Sequence, residues 1–228
     1  MSVDTPPVFV VARFREDLAW LSDASAERRC IVYDKSGDDG PPSRLAPALE
    51  WVPVPNVGRE SETWLRYIIT HYDALPDVVC FLQGNPKEHV SPAHASLFAR
   101  LLSGDHSPVA TAPLCCPLHV ERDGVCVSHD EYYSHLFAGP RPPSYGFAAG
   151  AQYSVTRADL LSRPVSFYRL LHRMLSRNTI LAYTGKIPFA HGVIDPWTLE
   201  RLWPFVFSGA PPLSRWAQDA IRGDAAIP

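Results

Sequence analysis

Two clusters of polar side chains bracket the apolar run DVVCFL in the first half of the chain. The first cluster consists of Asn56, Gly58, Arg59 and Glu60. The second consists of Gln83, Gly84, Asn85 and His89. Amide, guanidinium and carboxylate groups bind polar substrates through hydrogen bonds and ion pairs, and an imidazole can also exchange a proton. A hydrophobic core does not require such clusters, so we interpret both as the rim of a cleft.

The elements that must position these clusters alternate between strands and helices. Apolar runs predict strands at Val8–Phe14, Cys30–Lys35 and Asp77–Leu82. LEWVPVP predicts a third short strand, and its prolines indicate an edge strand or the end of a strand. Helical spacing predicts helices at EDLAWLSD, at Ser61–Leu75 with Ser61 as the N-cap, and at Ser91–Asp105.

This alternation predicts an α/β fold, a single domain with a mostly parallel central sheet flanked by helices. Ligands of open parallel sheets bind outside the carboxyl ends of the strands. Both polar clusters lie at such ends or in the loop before a helix, and Phe14, Arg15 and Glu16 follow the first strand at the same edge. The sequence therefore places a candidate site at this edge of the sheet.

The second half of the chain is less regular. VCVSHDEYYSHLF predicts a strand and a loop, and Phe147–Arg157 predicts a small-residue strand that runs into a capped helix. A helix in two pieces is predicted around Pro164, and Asp195–Phe207 is predicted to be a short helix that begins at Pro196. We expect one domain over residues 1–208 and a peripheral C-terminal tail over residues 209–228.

Composition argues against several classes of protein. A formal net charge of −3 and the lack of a basic run argue against nucleic acid as a partner. No apolar run is long enough to span a membrane, and the N-terminus lacks the pattern of a signal peptide, so we expect a cytoplasmic protein. The five cysteines have no CxxC spacing, which favours reduced thiols in the core over a disulfide framework or a closed zinc site.

Five ordered motifs, spread over nearly the whole chain, resemble the domain-of-unknown-function 3431 family. They are VVARFREDLAWL, NVGRE, DVVCFLQGNPKEH, AAGAQYSVTR and ERLW. The label of that family names no activity.

A more distant similarity is to GT-A type glycosyltransferases. The opening VFVVARFREDLAWL is similar to their first strand, and NVGRE resembles the Asn-x-Gly-Arg-acid segment of the rhamnan-synthesis transferases. FAAGAQYSVTR, which contains Gly150 and Gln152, resembles their acceptor-side strand, and the segment from Asp195 to Trp203 lies where a late acidic motif supplies a general base. The resemblance implies a GT-A-like fold, a nucleotide-activated sugar as donor, and Glu200 or, failing that, Asp195 as base.

One departure from that pattern concerns metal. Where a metal-dependent GT-A enzyme carries Asp-x-Asp, this chain has Gln83-Gly84-Asn85, whose neutral amides are poor ligands for a hard divalent cation. We therefore expect no cofactor and no metal site. The guanidinium groups of Arg13, Arg15 or Arg59 would then offset the charge of a diphosphate.

Simpler interpretations of the same residues remain open. Asn56 and Gly58 can form a tight turn, Gly150 can serve close packing, and Glu200 can pair with a neighbouring arginine as ordinary surface charge. Two functions from different classes follow. The first function is that of a glycosyltransferase-like enzyme acting on small-molecule substrates. The second keeps the same scaffold, either as a tailoring enzyme that uses His89 and Glu200 as acid and base without a nucleotide or as a binding module without turnover.

Overall fold

The structure of the protein is a computed structural model. It describes residues 6–24, 29–38, 40–41, 49–89, 99, 111–114, 117–121, 127–176 and 194–223. The predicted helix Ser91–Asp105 lies outside the described residues apart from Ala99, which is helical.

A six-stranded sheet forms the centre of the described molecule. Its parallel part consists of β1 (Val8–Arg13), β2 (Cys30–Asp34), β3 (Leu49–Pro53) and β4 (Val78–Gln83). Beyond β4, β8 (Tyr153–Thr156) pairs antiparallel to β4, and β5 (Ala112–Pro113) pairs antiparallel to β8, which gives the order β3-β2-β1-β4-β8-β5. A separate antiparallel pair consists of β6 (Pro117–Glu121) and β7 (Ser144–Ala148). The predicted α/β fold with a mostly parallel sheet is confirmed.

Seven α-helices lie in the described part of the chain. They are α1 (Leu21–Ala24), α2 (Arg59–His71), α3 (Val127–Leu136), α4 (Arg157–Leu161), α5 (Val165–Ser176), α6 (Pro196–Phe207) and α7 (Arg215–Arg222). Two 3-10 turns, Tyr72–Ala74 and Pro86–His89, follow α2 and β4.

Both faces of β1, β2 and β4 are buried, as their continuous apolar sequences require, whereas the edge strand β3 is partly exposed. Val8, Val10 and Phe81 point to one face, where α2, α5 and α6 pack, and Trp64 of α2 contacts Phe81 with ring centroids 5.6 Å apart. The intervening residues, such as Phe9 and Val11, face the opposite side. Strand alternation thus divides the core into two layers.

Helices α2 and α5 run antiparallel against each other. At one end the Tyr72 hydroxyl donates to the Arg163 carbonyl at 2.6 Å, and at the other end His172 contacts Glu62 at 3.1 Å. This pairing places the second half of the chain directly on the helix that follows the first polar cluster.

Several local predictions need correction. Helix α2 begins at Arg59 with Gly58 as its N-cap, so Ser61 is a buried residue of the first turn and not the cap. The segment predicted as a strand and loop around residue 130 is helix α3, because Tyr132, Tyr133 and Leu136 bury one helical face. Phe147–Arg157 contains a turn between the end of β7 and β8 and not one strand.

Other predictions are confirmed. Helices α4 and α5 meet at Pro164 as the two predicted pieces, and Thr156 caps α4. Cys30 and Cys80 are buried free thiols, whereas Cys115, Cys116 and Cys126 lie outside the described residues. Within the described residues, no helix is both long and apolar enough to cross a bilayer. The domain boundary at residue 208 stays a prediction, and α7, which follows it, buries Ala217 and Ala220.

Candidate functional site

A cleft of about 550 Å³ lies at the carboxyl ends of β1, β2 and β4. Seven of the side chains singled out in the sequence line it, namely Arg13, Phe14, Glu16, Asn56, Arg59, Glu60 and Gln83. Four further residues complete its walls, namely Ala12, Lys35, Glu88 and Trp197. The two polar clusters that bracket DVVCFL thus meet in space, at the edge of the sheet where strand ends of an α/β fold present ligand sites.

The first cluster is shaped by a left-handed turn. Gly58 has φ 61, and a Cβ on it would lie 2.7 Å from the Glu62 Cβ and 2.8 Å from the Leu175 Cδ2. Arg59 also has a positive φ of 53, a conformation that costs a residue with a side chain on the order of 1 kcal/mol or more. The turn requires glycine at position 58 and directs Arg59 and Glu60 to the cleft.

Arg13 lines the cleft but is held by internal partners. Its Nη1 lies 2.6 Å from the Asp34 Oδ1 and 3.1 Å from the Asp38 Oδ2, and its guanidinium lies over the Trp51 ring at 5.3 Å. A buried arginine held in this way adds positive charge to the cleft and fixes the strand ends. It does not act as a mobile binding group.

Arg59 is the more accessible guanidinium of the cleft. Its side chain is 49% exposed, lies over the Trp197 ring at 5.1 Å and approaches the Glu60 carboxylate at 3.5 Å. The aromatic ring orients the cation while leaving its N–H groups available, which suits a phosphate or carboxylate ligand.

The cleft also presents aromatic surface. Phe14 is 46% exposed although it is a large hydrophobic residue, and Trp197 is only half-buried. The guanidinium of Arg15 lies over the Phe14 ring at 5.3 Å, and Arg15 has φ 79. Aromatic faces beside amide and charged groups are typical of sites for flat or polyhydroxylated ligands.

Glu60 lines the cleft, and Glu200, which does not line it, lies close enough for the charge of Glu60 to affect it. Both carboxyls are poorly solvated. Burial raises the pKa of Glu60, and the nearby Arg59 and Lys35 oppose that rise. Burial and the charge of Glu60 together raise the pKa of Glu200 to about 7, although the Gly150 N–H donates to its Oε1 at 2.5 Å. A carboxyl with a pKa of about 7, such as that of Glu200, can hold and release a proton near neutral pH.

A comparison with family models finds a match in the first half of the chain. Residues 9–103 match the model of the family described as a protein of unknown function (DUF3431). The match covers less than half of the chain, so the similarity to that family is one of this segment, which we call the DUF3431 segment. It contains β1 to β4, α2 and both polar clusters, whereas Gly150 and Glu200 lie outside the match. No protein in a search of curated sequences matches the chain.

Within the DUF3431 segment, the second polar cluster divides into two parts. Gln83 lines the cleft, whereas Asn85 is exposed and its carbonyl accepts from the Glu88 N–H at 3.3 Å. Gly84 permits a close approach, because a Cβ there would lie 2.6 Å from the Glu16 Oε2. His89 ends the 3-10 turn, and its side chain lies outside the described part of the structure.

Two candidate residues outside the DUF3431 segment serve the fold. The carboxylate of Asp195 is buried and accepts from the Thr198 N–H at 2.9 Å and from the Thr198 hydroxyl at 2.6 Å, so we assign it as the cap of α6 and not as a base. Gln152 is buried as well, accepts from the Gln83 N–H at 3.2 Å and donates to the Pro86 carbonyl at 3.0 Å. It braces the loop of the second cluster and does not line the cleft.

Sequence reasoning missed several lining residues. Trp197 lies in the first turn of α6 and lines the cleft, unlike the buried Leu202 and Trp203 of the same helix. Lys35 ends a predicted strand, which is a usable signal, since strand ends meet at this edge. Among the described residues, no group of three or more His, Cys, Asp or Glu side chains could hold a metal ion.

Proposed function

We propose that the cleft is the active site of a glycosyltransferase-like enzyme, which transfers a sugar from a nucleotide-activated donor to a small or glycan acceptor. The observation that carries this proposal is the Glu60–Glu200 pair, brought together from two distant parts of the chain beside an accessible guanidinium. Structures hold buried carboxyls with raised pKa values mainly where a proton must move.

The remaining walls suit a nucleotide sugar. The guanidinium of Arg59 would bind the diphosphate, and the amides of Asn56 and Gln83 would bind hydroxyl groups. The exposed ring of Phe14 and the half-exposed ring of Trp197 offer flat apolar surface to a base or to the apolar face of a sugar. A volume of about 550 Å³ falls in the range of small-molecule sites.

The carboxyl pair supplies the proton transfer that the reaction needs. The acceptor oxygen forms a bond to the anomeric carbon, and the bond from that carbon to the phosphate oxygen breaks with its electron pair leaving on the nucleoside diphosphate. The hydroxyl proton passes to the Glu60–Glu200 pair, in which Glu60 lines the cleft and Glu200 lies beside it. A base that titrates near 7 is suited to neutral pH.

The proposed reaction does not depend on a divalent cation. Gln83 and Asn85 occupy the position of the Asp-x-Asp motif, and Arg59 is placed to balance the leaving diphosphate. We expect transfer to persist in excess EDTA. Loss of turnover in EDTA with recovery on Mn²⁺ or Mg²⁺ would assign the metal to other carboxylates of the cleft, such as Glu16 and Glu88.

The test begins with binding. Nucleoside diphosphates and nucleotide sugars are added to the full chain, and a ligand of the folded state must raise the melting temperature. The nucleotide sugar that binds is then incubated with the chain, and release of nucleoside diphosphate is measured. Glu200→Gln and Glu60→Gln should each lower turnover by about 10²- to 10⁴-fold with little change in affinity.

Glu50→Gln is the matched control, because Glu50 is 46% exposed and pairs with Arg29 away from the cleft. It should leave turnover unchanged. If no nucleotide binds, the transferase proposal fails. Acid–base chemistry by the same carboxyl pair on a substrate without a nucleotide, as in a tailoring enzyme, then becomes the favoured function.

A further inference from the structure

A second concave surface lies on the outer side of the helix layer. It is a groove of about 350 Å³ between the antiparallel helices α2 and α5, and none of its lining residues lines the cleft. The lining residues are Arg66, Ile69 and Thr70 of α2 and Arg169, His172 and Arg173 of α5. We call this surface the arginine groove.

The arginine groove concentrates positive charge on a chain whose formal net charge is −3. Three of its lining residues are arginines, one is histidine and none is acidic. Arg169 and Arg173 are exposed, and neither forms an ion pair with another described residue. They lie four positions apart on one helix, where like charges repel by a few tenths of a kcal/mol. An anion in the groove would relieve this repulsion.

One wall of the groove is positioned by a buried carboxylate. Glu62 accepts from the Arg66 Nε at 2.8 Å and contacts the His172 Nε2 at 3.1 Å, and it is inaccessible to solvent. Its other oxygen accepts from the Lys35 Nζ at 2.7 Å. The charge of Glu62 is thus shared among three partners, so it fixes Arg66 and His172 in place without neutralising the groove.

We propose that the arginine groove binds a phosphate group. Guanidinium groups present planar, paired N–H donors that match phosphate oxygens, and the three arginines lie around one concavity. Thr70 adds a hydroxyl that can donate to the same anion. The phosphate belongs either to a free small molecule or to a lipid headgroup, because both present the same oxygens to this surface.

The test uses the full chain and pyrophosphate as the probe, with binding measured by titration calorimetry at low and at physiological salt. The double variant Arg169→Gln/Arg173→Gln should weaken pyrophosphate binding at least tenfold. The two side chains are exposed, so the variant should stay folded, which its melting temperature checks. Arg215→Gln is the matched control, because Arg215 is 96% exposed on α7, outside the groove. It should leave the affinity unchanged.

The variant Arg59→Gln distinguishes pyrophosphate binding in the cleft from pyrophosphate binding in the arginine groove. If pyrophosphate binds the arginine groove, the affinity measured in Arg59→Gln is retained and falls only when Arg169 and Arg173 are also replaced. Failure of the transferase proposal would leave this result untouched. An equal loss in Arg215→Gln would indicate unspecific attraction and would overturn the proposal, as would unchanged binding in the double variant.

Flotation with vesicles distinguishes the two sources of the phosphate. Phosphatidylcholine vesicles are compared with the same vesicles containing phosphatidic acid. Retention on the second set that is lost in the double variant assigns the groove to a lipid headgroup, and pyrophosphate binding without retention assigns it to a free phosphate compound. If neither probe binds in a manner that depends on Arg169 and Arg173, the groove is not a phosphate site.

Discussion

Helix α2 carries two carboxylates in its first turn, and their surroundings are opposite. Burial alone would raise the pKa of Glu62, but contacts with His172, Lys35 and Arg66 outweigh it and lower that pKa to about 2. Glu60 lies two positions earlier with its side chain 11% exposed, and burial there prevails over the charges of Arg59 and Lys35. The same helix thus holds one saturated and one poorly neutralised carboxyl.

The difference separates a carboxylate that its partners hold ionised from a poorly solvated carboxyl. A carboxylate that receives several charge-assisted hydrogen bonds stays ionised over the whole physiological range and cannot exchange protons there. A carboxyl with little solvent and few donors, such as Glu200 beside Glu60, titrates near neutral pH. The number of donors around each carboxyl therefore decides its role, and the predictions below test that statement on both.

The largest change in the free energy of unfolding is expected from replacing Glu62. Glu62→Gln leaves Lys35, whose side chain is 3% exposed, as a buried cation without its carboxylate. Removing one partner of a buried ion pair typically costs about 3–5 kcal/mol. We expect a loss of that size in the free energy of unfolding, measured by urea denaturation at pH 7.

Glu50→Gln serves as the exposed control for this measurement. Glu50 and Arg29 are 46% and 55% exposed, and surface pairs of this kind contribute at most about 1 kcal/mol. Equal losses in the Glu62 and Glu50 variants would refute the assignment of Glu62 as a saturated, structural acid.

The contribution of Glu200 to stability should depend on pH in the opposite sense to that of Glu62. The pKa of Glu200 is about 7 in the folded protein and near 4.5 in the unfolded chain, so the folded state binds more protons and stability falls as pH rises between these values. Glu200→Gln removes that fall. Its stability relative to the parent chain should rise by on the order of 3 kcal/mol between pH 4.5 and pH 8.

The measurement is urea denaturation of both chains at several pH values. A difference between them that stays flat from pH 4.5 to pH 8 would show that Glu200 is normally solvated. The Glu62 contribution has the reverse sign and is present above pH 4.5, and it disappears as pH falls toward about 2.

A smaller loss of stability is expected from a change at Gly58, in the turn that positions Glu60 and Glu62. Gly58→Ala would introduce a Cβ at φ 61 that lies within 3 Å of Glu62 and Leu175. Strain and overlap together should cost about 1–3 kcal/mol. Gly139→Ala is the control, since Gly139 has φ 82 but no atom within 4 Å of the added Cβ. Equal losses in the two variants would mean that backbone strain alone is at work.

Much of this arrangement was predictable from local sequence. Apolar runs and helical spacing predicted β1, β2, β4 and α2, and the polar residues after them lie at one edge because parallel strands end together. The sequence predicts no helix at α3 because the β-branched Val127 and the aromatic Tyr132 and Tyr133 favour a strand locally. Packing of Tyr132 and Leu136 on the core prevailed over that preference.

The roles of the acids were not predictable in the same way. The helical pattern of the sequence does not single out Glu62, and its partners include Lys35 and, 110 positions later, His172. Asp195 and Glu200 lie five positions apart on the same motif, yet one caps a helix and the other faces a carboxyl. The number of hydrogen-bond donors around each carboxyl in the folded protein distinguishes these acids.

The pairing of α2 with α5 has a consequence for the autonomy of the DUF3431 segment. Strand β4 pairs with β8, and Trp64 of α2 packs on Trp203 of α6. Both β8 and Trp203 lie beyond residue 103, where the matched segment ends. A polypeptide ending at residue 103 would expose this surface and leave Glu62 without His172. We expect such a fragment not to fold by itself, and the two halves of the chain to unfold in one cooperative transition.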